Sequence, residues 1–252
     1  MPPTVIIDCL AERAQKYVDG HAIVAVDVIR ATTTAVTAVS LGWECFPTPS
    51  LEAAVPLAAK LHNPLLVGEL GGNMPYGFDM TNSPAEIALR TDFRRPLILL
   101  STSGTQLMCY SQGSEATYVA CLRNYSAQTK YLIGRHEHVA VIGAGSRGEF
   151  REEDQLCCAW IAEGLIEAGY EPANAMTEEV VSRWSGAPVD SLLISKSVEY
   201  LRRTEQLRDL EYILSHVNDI EAVFVLREKQ ITMIPVHVES RGAPSRRVTL
   251  AE

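Results

Sequence analysis

Residues Ala22–Ile29 form a β-branched, apolar run interrupted only by Asp27, and they lead directly into Arg30-Ala31-Thr32-Thr33-Thr34. A run that apolar on both faces fits a strand buried on both sides, which requires a sheet covered by helices. Ala31–Leu41 then reads as a helix closed by Gly42. The alternation recurs. Strands are predicted at Thr4–Asp8, Glu44–Pro47, Leu65–Glu69, Leu97–Leu100, Ala116–Cys121 and Val139–Ile142. Helices are predicted at Leu51–Leu61, Gln106–Tyr110, Ser126–Ile133, Glu152–Ala168, Thr177–Arg183, Val189–Lys196 and Gln206–Val217, and another opens at Ser83-Pro84-Ala85-Glu86 with Ser83 as its cap. Gly169–Ala175 reads as loop. Ala222–Arg227 and Gln230–Val236 read as a closing hairpin. The expected fold is α/β, a three-layer α/β/α arrangement with a mixed sheet over residues 1–236. Strands Ala22–Asp27 and Val139–Ile142 each run into a polar loop and a helix, an echo that permits similar subdomains of about 1–135 and 136–236. The polar tail 237–252 is expected to be mobile.

With 47% apolar and 21% charged residues, the chain has the material for a packed core. A formal net charge of −9 argues against a nucleic-acid partner and against an anionic membrane surface. No apolar run is long enough to span a bilayer, and Met1–Val5 does not read as a secretory leader. Cys9, Cys45, Cys109, Cys121, Cys157 and Cys158 show neither zinc-site spacing nor a disulfide framework. The expectation is a cytoplasmic protein with reduced thiols and a small anionic partner molecule, with a homodimer as the default assembly.

Ligands of open α/β sheets bind beyond the carboxyl ends of the strands, and four such ends are rich in polar groups. The first is Asp27–Thr34. A carboxylate ending an apolar strand needs a metal or a cation. Arg30 suits a phosphate or carboxylate, and Thr32 and Thr33 fall at a helix N-terminus, where anions are favoured. The second is Glu69, followed by Gly71-Gly72 and, at the end of the long loop, Asn82. Asp27 and Glu69, read as ends of neighbouring strands, suit Mg²⁺, which takes one or two carboxylates plus waters and substrate oxygens. The third is Ser101-Thr102-Ser103-Gly104-Thr105, a neutral cradle of hydroxyls and free amides. The fourth is Gly143–Gly148 followed by Glu149–Asp154. It matches G-x-G-x-x-G formally, but Glu149, Glu152, Glu153 and Asp154 oppose a pyrophosphate. The better reading has Gly145 giving close backbone approach, Arg147 meeting a charge, and one or two of the acids facing a metal.

Other templates fail. Ile29 stands where a D-x-D phosphatase needs its second Asp. No Walker loop or G-x-S-x-G elbow is present. Taken together, Asp27–Thr34, Gly68-Glu69 with Gly71-Gly72, Gly77–Pro84 with Glu86, Ser101–Thr105 and Gly143–Asp154 resemble the 2-phosphosulfolactate phosphatase family, from roughly Ala22 to Pro235. The resemblance implies a Mg²⁺-dependent acid phosphatase with an α/β fold of its own. The implied reaction hydrolyses (2R)-2-phospho-3-sulfolactate to sulfolactate and phosphate, a step toward coenzyme M. The chain departs from the family's usual pattern at Ser101-Thr102-Ser103, at Thr81 and at Arg151-Glu152.

The residues and the resemblance together give these expectations. Asp27 and Glu69 hold the metal, with Glu153 or Asp154 as a further ligand or general base. Arg30 and Arg147 bind the phosphate and a second acid group. Thr32, Thr33, Asn82, Ser103, Gly104, Thr105 and Gly145 contact substrate. Attack by water and a covalent intermediate through Asp27 are both open. The alternatives are a nucleotide-dependent oxidoreductase using Gly143–Gly148 and a non-catalytic sensor of phosphorylated metabolites.

Overall fold

The computed structural model describes residues 2–236; the tail expectation lies outside them. The strands are β1 (Thr4–Asp8), β2 (Ala22–Val26), β3 (Cys45–Thr48), β4 (Leu65–Gly68), β5 (Leu97–Leu100), β6 (Ala116–Ala120), β7 (His138–Gly143), β8 (Glu171–Pro172), β9 (Ala222–Arg227) and β10 (Gln230–Pro235). The helices are α1 (Ala31–Ser40), α2 (Leu51–Ala58), α3 (Pro84–Ala88), α4 (Gly104–Tyr110), α5 (Tyr125–Leu132), α6 (Glu152–Glu167), α7 (Ala175–Trp184), α8 (Lys196–Arg203) and α9 (Leu207–Ser215), with 3-10 turns at Ala11–Tyr17 and Val189–Ile194.

All strands join one mixed sheet in the order β4-β5-β3-β10-β9-β6-β2-β7-β1-β8. The pairs β4–β5–β3 are parallel, as are β6–β2–β7–β1–β8. The hairpin β9–β10 lies antiparallel between these two groups and pairs with β6 on one side and β3 on the other. Alternation along each strand sends side chains to opposite layers. Val24 and Val26 of β2 enter the core beneath α5 to α9, while Ile23 and Ala25 enter the core shared with α1 and α4. Leu97 and Leu99 of β5 join the second core, and Ile98 and Leu100 pack under α2. This is the three-layer arrangement expected from the sequence.

Helix α1 shows how burial overrides local preference. Its sequence, ATTTAVTAVS, is rich in β-branched residues that are mediocre helix formers. Every residue from Ala31 to Val39 is buried, and the threonine hydroxyls turn back onto backbone carbonyls.

The sequence reading misses α8, treats Glu171–Pro172 as loop, and leaves Ala11–Tyr17 without structure. Strand β8 is two residues pairing with the edge of β1, too short to show a pattern. Helix α8 begins just past Ser195, which caps it by accepting from Val198 N.

One glycine is required by the sheet itself. A Cβ on Gly68 would lie 2.3 Å from the Leu100 carbonyl oxygen, which is backbone and cannot step aside. Gly68→Ala is expected to cost about 1–3 kcal/mol, the range for overpacking a filled interior. Urea unfolding monitored at the tryptophans checks this, and an unchanged midpoint would show that the β4–β5 contact yields.

Candidate active site

A cavity of about 540 Å³ opens at the carboxyl ends of the parallel strands. Its wall includes Asp27, Arg30, Glu69, Asn82, Ser103, Gly145, Arg147 and Asp154, so all four polar strand ends meet there. They do not meet through strand adjacency. Asp27 follows β2 and Glu69 follows β4, and five strands stand between those two in the sheet. The expectation of neighbouring strands is therefore corrected. Close contacts between loops draw the ends together instead.

Glu69 is the first link. Its Oε1 accepts from Thr102 N at 2.7 Å, and its Oε2 accepts from Thr102 Oγ1 at 2.8 Å and Gly72 N at 2.7 Å. Two residues further on, Gly104 sits against Asp27: a Cβ there would lie 2.2 Å from Asp27 Oδ2 and 2.6 Å from the Ala31 Cβ. From the other side, Asp154 Oδ1 accepts from Val28 N at 2.8 Å, and Oδ2 accepts from Gly145 N at 3.3 Å. A Cβ on Gly145, whose φ is +59°, would meet the carbonyl oxygens of Cys9 and Glu149 at 2.5 and 2.6 Å. Crowding by the protein's own backbone accounts for this glycine, so it gives no support to a dinucleotide loop.

The acids crowd one another. Burial is the main cause that pushes the Asp27 carboxyl up to about 7, with like charge from Glu69 and Glu153 adding to it; the Ala31 N–H and Arg30 oppose. Burial, then the charges of Asp27 and Glu153, holds Asp154 well above the usual carboxylate range. Glu153 is fully buried and also raised by burial, with the nearby Ser197 and Ser195 hydroxyls opposing; among the described residues neither of its oxygens has a partner in hydrogen-bond geometry. Arg30 does not pair with Asp27. It pairs with Asp209 and Gln206.

Some residues proposed as substrate contacts are turned inward. Thr32 Oγ1 donates to Asp27 O at 2.8 Å and accepts from Asp27 N at 2.9 Å. Thr33 Oγ1 donates to Val28 O at 2.8 Å. Thr105 Oγ1 accepts from Ser101 N and donates to Ser101 O. These hydroxyls lock the turns, and neither they nor Gly104 and Glu153 line the cavity. Asn82 does line it; its amide oxygen is buried without a partner among the described residues, and its carbonyl accepts from Thr34 Oγ1 at 2.7 Å.

Sequence reasoning missed the part of the cavity wall built by helix α8. Helix α8 contributes Lys196, Ser197, Glu199, Tyr200 and Arg203. Lys196 Nζ donates to Glu149 at 2.6 Å, and Tyr200 OH donates to Gly72 O. Among the described residues, Arg147 and Arg203 make no ion pair. A usable signal was present: Ser195 as a cap, then Val198 and Leu201 buried three apart, with the charges on the other face.

The donor set fits Mg²⁺ of a kind that substrate completes. The carboxylates are oxygen-only, mutually repelling and short of a counter-charge, because Arg30 is committed to Asp209. Among the described residues no three His, Cys, Asp or Glu side chains enclose an ion by themselves. Mg²⁺ commonly keeps several waters and binds through one or two carboxylates plus phosphate oxygens.

Buried acids and cations thus line one cavity at the strand ends of a three-layer α/β sheet, and the relatives of this chain carry the name of a phosphatase. The sequence model of the 2-phosphosulpholactate phosphatase family matches residues 8–229, and the chain belongs to that family. It is 30% identical over 228 residues to a protein of Pseudothermotoga lettingae, covering 88% of this chain and 91% of that one. It is 33% identical over 211 residues to one of Thermus thermophilus, covering 81% and 87%. It is 30% identical over 201 residues to one of Nostoc sp., covering 75% and 82%. All three carry the name "Probable 2-phosphosulfolactate phosphatase". Among the described residues no helix is long and apolar enough to cross a membrane.

Proposed function

We propose that the protein is a Mg²⁺-dependent phosphatase that hydrolyses (2R)-2-phospho-3-sulfolactate to (2R)-3-sulfolactate and phosphate. The observation that carries this is one cavity lined both by two buried acids whose pKa burial raises, Asp27 and Asp154, and by the cations Arg30, Arg147, Lys196 and Arg203. A substrate with a phosphate and a second strong acid matches it, because the cavity offers more than one cation. Family membership supplies the chemistry.

Asp27 and Glu69 are the residues assigned to the metal, with Asp154 beside them. When bound, Mg²⁺ supplies positive charge to the phosphoryl oxygens and lowers the pKa of water. The protein's own groups do the rest. Arg30 orients the phosphoryl group, and Arg147, with Arg203 and Lys196 nearby, holds the second acid. Ser103 and Asn82 supply neutral polar contacts. In net hydrolysis an oxygen of water bonds to phosphorus, the ester P–O bond breaks, and the departing alkoxide takes up a proton. Asp154 is the acid placed to move protons: it lines the cavity, two backbone N–H groups fix it, and burial favours its protonated form. Glu153 lies behind it, out of the cavity.

The experiment is a panel of phosphorylated hydroxy acids, with and without a sulfonate, assayed for phosphate release. Release is expected to need Mg²⁺, to stop on EDTA, and to be fastest with phosphosulfolactate. Independently of turnover, Mg²⁺ should raise Tm, more strongly at pH 7 than at pH 5, because ligating carboxylates must lose their protons. Equal activity in EDTA, together with no Mg²⁺ effect on Tm, refutes the cofactor; a flat substrate panel refutes the substrate.

A further inference from the structure

Arg30 offers five N–H donors, and the fold occupies only one corner of them. Its Nη1 donates to Asp209 Oδ2 and to Gln206 Oε1. Among the described residues, Nε and Nη2 have no protein acceptor, and Arg30 stands in the cavity wall. Asp209 is buried in α9 and does not line the cavity. Its other oxygen, Oδ1, accepts from Ser83 Oγ and, at 3.2 Å, from Ala85 N. One carboxylate therefore fastens the guanidinium at the start of α1 to the first turn of α3, immediately after Asn82.

We propose that Asp209 is a positioning residue: it grips Arg30 by Nη1 so that the Nε–Nη2 edge faces an oxyanion of the substrate. The identity of that oxyanion rests on the phosphatase reading; the grip does not. A planar guanidinium recognises phosphate or carboxylate through two parallel hydrogen bonds, which requires its plane to be fixed. A free arginine loses rotamer freedom on binding, whereas a gripped one has already lost it on folding. Asp209 lies behind the guanidinium as seen from the cavity, so an entering anion meets the donor edge before the carboxylate. The same carboxylate sets Ser83 and thus the backbone that presents Asn82, so two substrate-facing groups share one anchor.

The test is a double-mutant cycle on the full chain with wild type, Asp209→Asn, Arg30→Lys and the double variant. Three quantities are read: kcat and KM on the phospho-acid, Kd for inorganic phosphate by calorimetry, and Tm. Asp209→Asn is expected to raise KM and phosphate Kd by about tenfold, more than it lowers kcat, as expected when a charge-assisted contact is misaligned. In the Arg30→Lys background, which has no fork to aim, the same change should move them less than about twofold. A lower Tm with KM and Kd unchanged in the folded enzyme would mean a merely structural Asp209 and overturns the proposal, as do equal losses in both backgrounds. If Asp209→Asn does not fold, Gln206→Ala carries the test through the other partner of Nη1. A rise of about threefold in KM and Kd then supports the grip, and no rise overturns it. If the wild type binds phosphate but hydrolyses no phospho-acid, the functional reading has failed and positioning is judged on Kd alone. If the wild type does not bind phosphate at all, positioning falls as well.

Discussion

Asp27→Asn should lower turnover steeply while leaving the protein at least as stable as the parent. Asp27 is the acid on which the others bear: buried, raised to about 7, and surrounded by Glu69, Glu153 and Asp154. Losing its charge removes a group proposed to organise the metal and the phosphoryl group, so kcat should fall by about 10³, as when a charge-stabilising group is deleted from an enzyme site. The same change relieves repulsion among buried carboxylates, the usual trade between stability and activity at a functional site.

The sign of the pH effect follows from linkage. The unperturbed pKa is 3.8 and the folded value about 7, so between those limits the folded chain holds a proton that the unfolded chain has released. Stability is then greatest at the acid end of that window and falls as pH rises through it. Without divalent cations, the Tm of the wild type should drop by several degrees from about pH 4 to 7, since about 1 kcal/mol corresponds to roughly 2–4 °C in a chain of this size. In Asp27→Asn, which mimics the protonated acid, the slope should be shallower. Ordinary turnover by the variant would remove Asp27 from the mechanism, and an identical slope would remove it from the pH effect.

The second large effect is expected from Gly104→Ala. The added methyl would press on Asp27 Oδ2 and on the Ala31 Cβ, and the latter is fixed by the helix that carries it. Either Asp27 swings out of place or the β5 end lifts away from α1. Overpacking of this kind costs about 1–3 kcal/mol. A displacement of about 1 Å at an active site costs roughly a hundredfold in rate. Both Tm and kcat should fall, and Mg²⁺ should stabilise the variant less than it does the wild type. A variant with normal Tm, activity and Mg²⁺ response would show that the contact relaxes without moving Asp27.

Much of this was legible in the sequence because it is local. Apolar runs ending in Asp27, Glu69 or Gly143 announce strands whose carboxyl ends carry polar loops, and that rule sends Asp27, Glu69, Gly145, Arg147 and Asp154 to one end of the sheet; the loop contacts that bring them into one cavity with Asn82 and Ser103 are not contained in it. The threonines were harder. Their position at a helix N-terminus suggests donors aimed outward, but only the packed fold shows that Thr32 and Thr33 must satisfy the backbone of a wholly buried turn. Asp209 was invisible. It lies in an amphipathic helix, where an acid normally faces water, and its partner is 179 residues away in sequence. The wall built by α8 was hidden for a similar reason: Ser195, which separates α8 from the turn before it, reads as an ordinary helical residue until its side chain is seen capping Val198.

The place of the β9–β10 hairpin has a consequence for synthesis. Emerging from the ribosome, the chain completes three parallel strands on one side and five on the other long before residue 222 appears, and nothing yet joins β3 to β6. Until the hairpin arrives, the nascent chain holds two half-sheets with bare inner edges, each able to pair with another molecule. The hairpin is thus the keystone of the sheet as well as one of its last-made parts. A ribosome stalled before it would release a product prone to aggregate, even though that product already contains Asp27, Glu69 and Asp154.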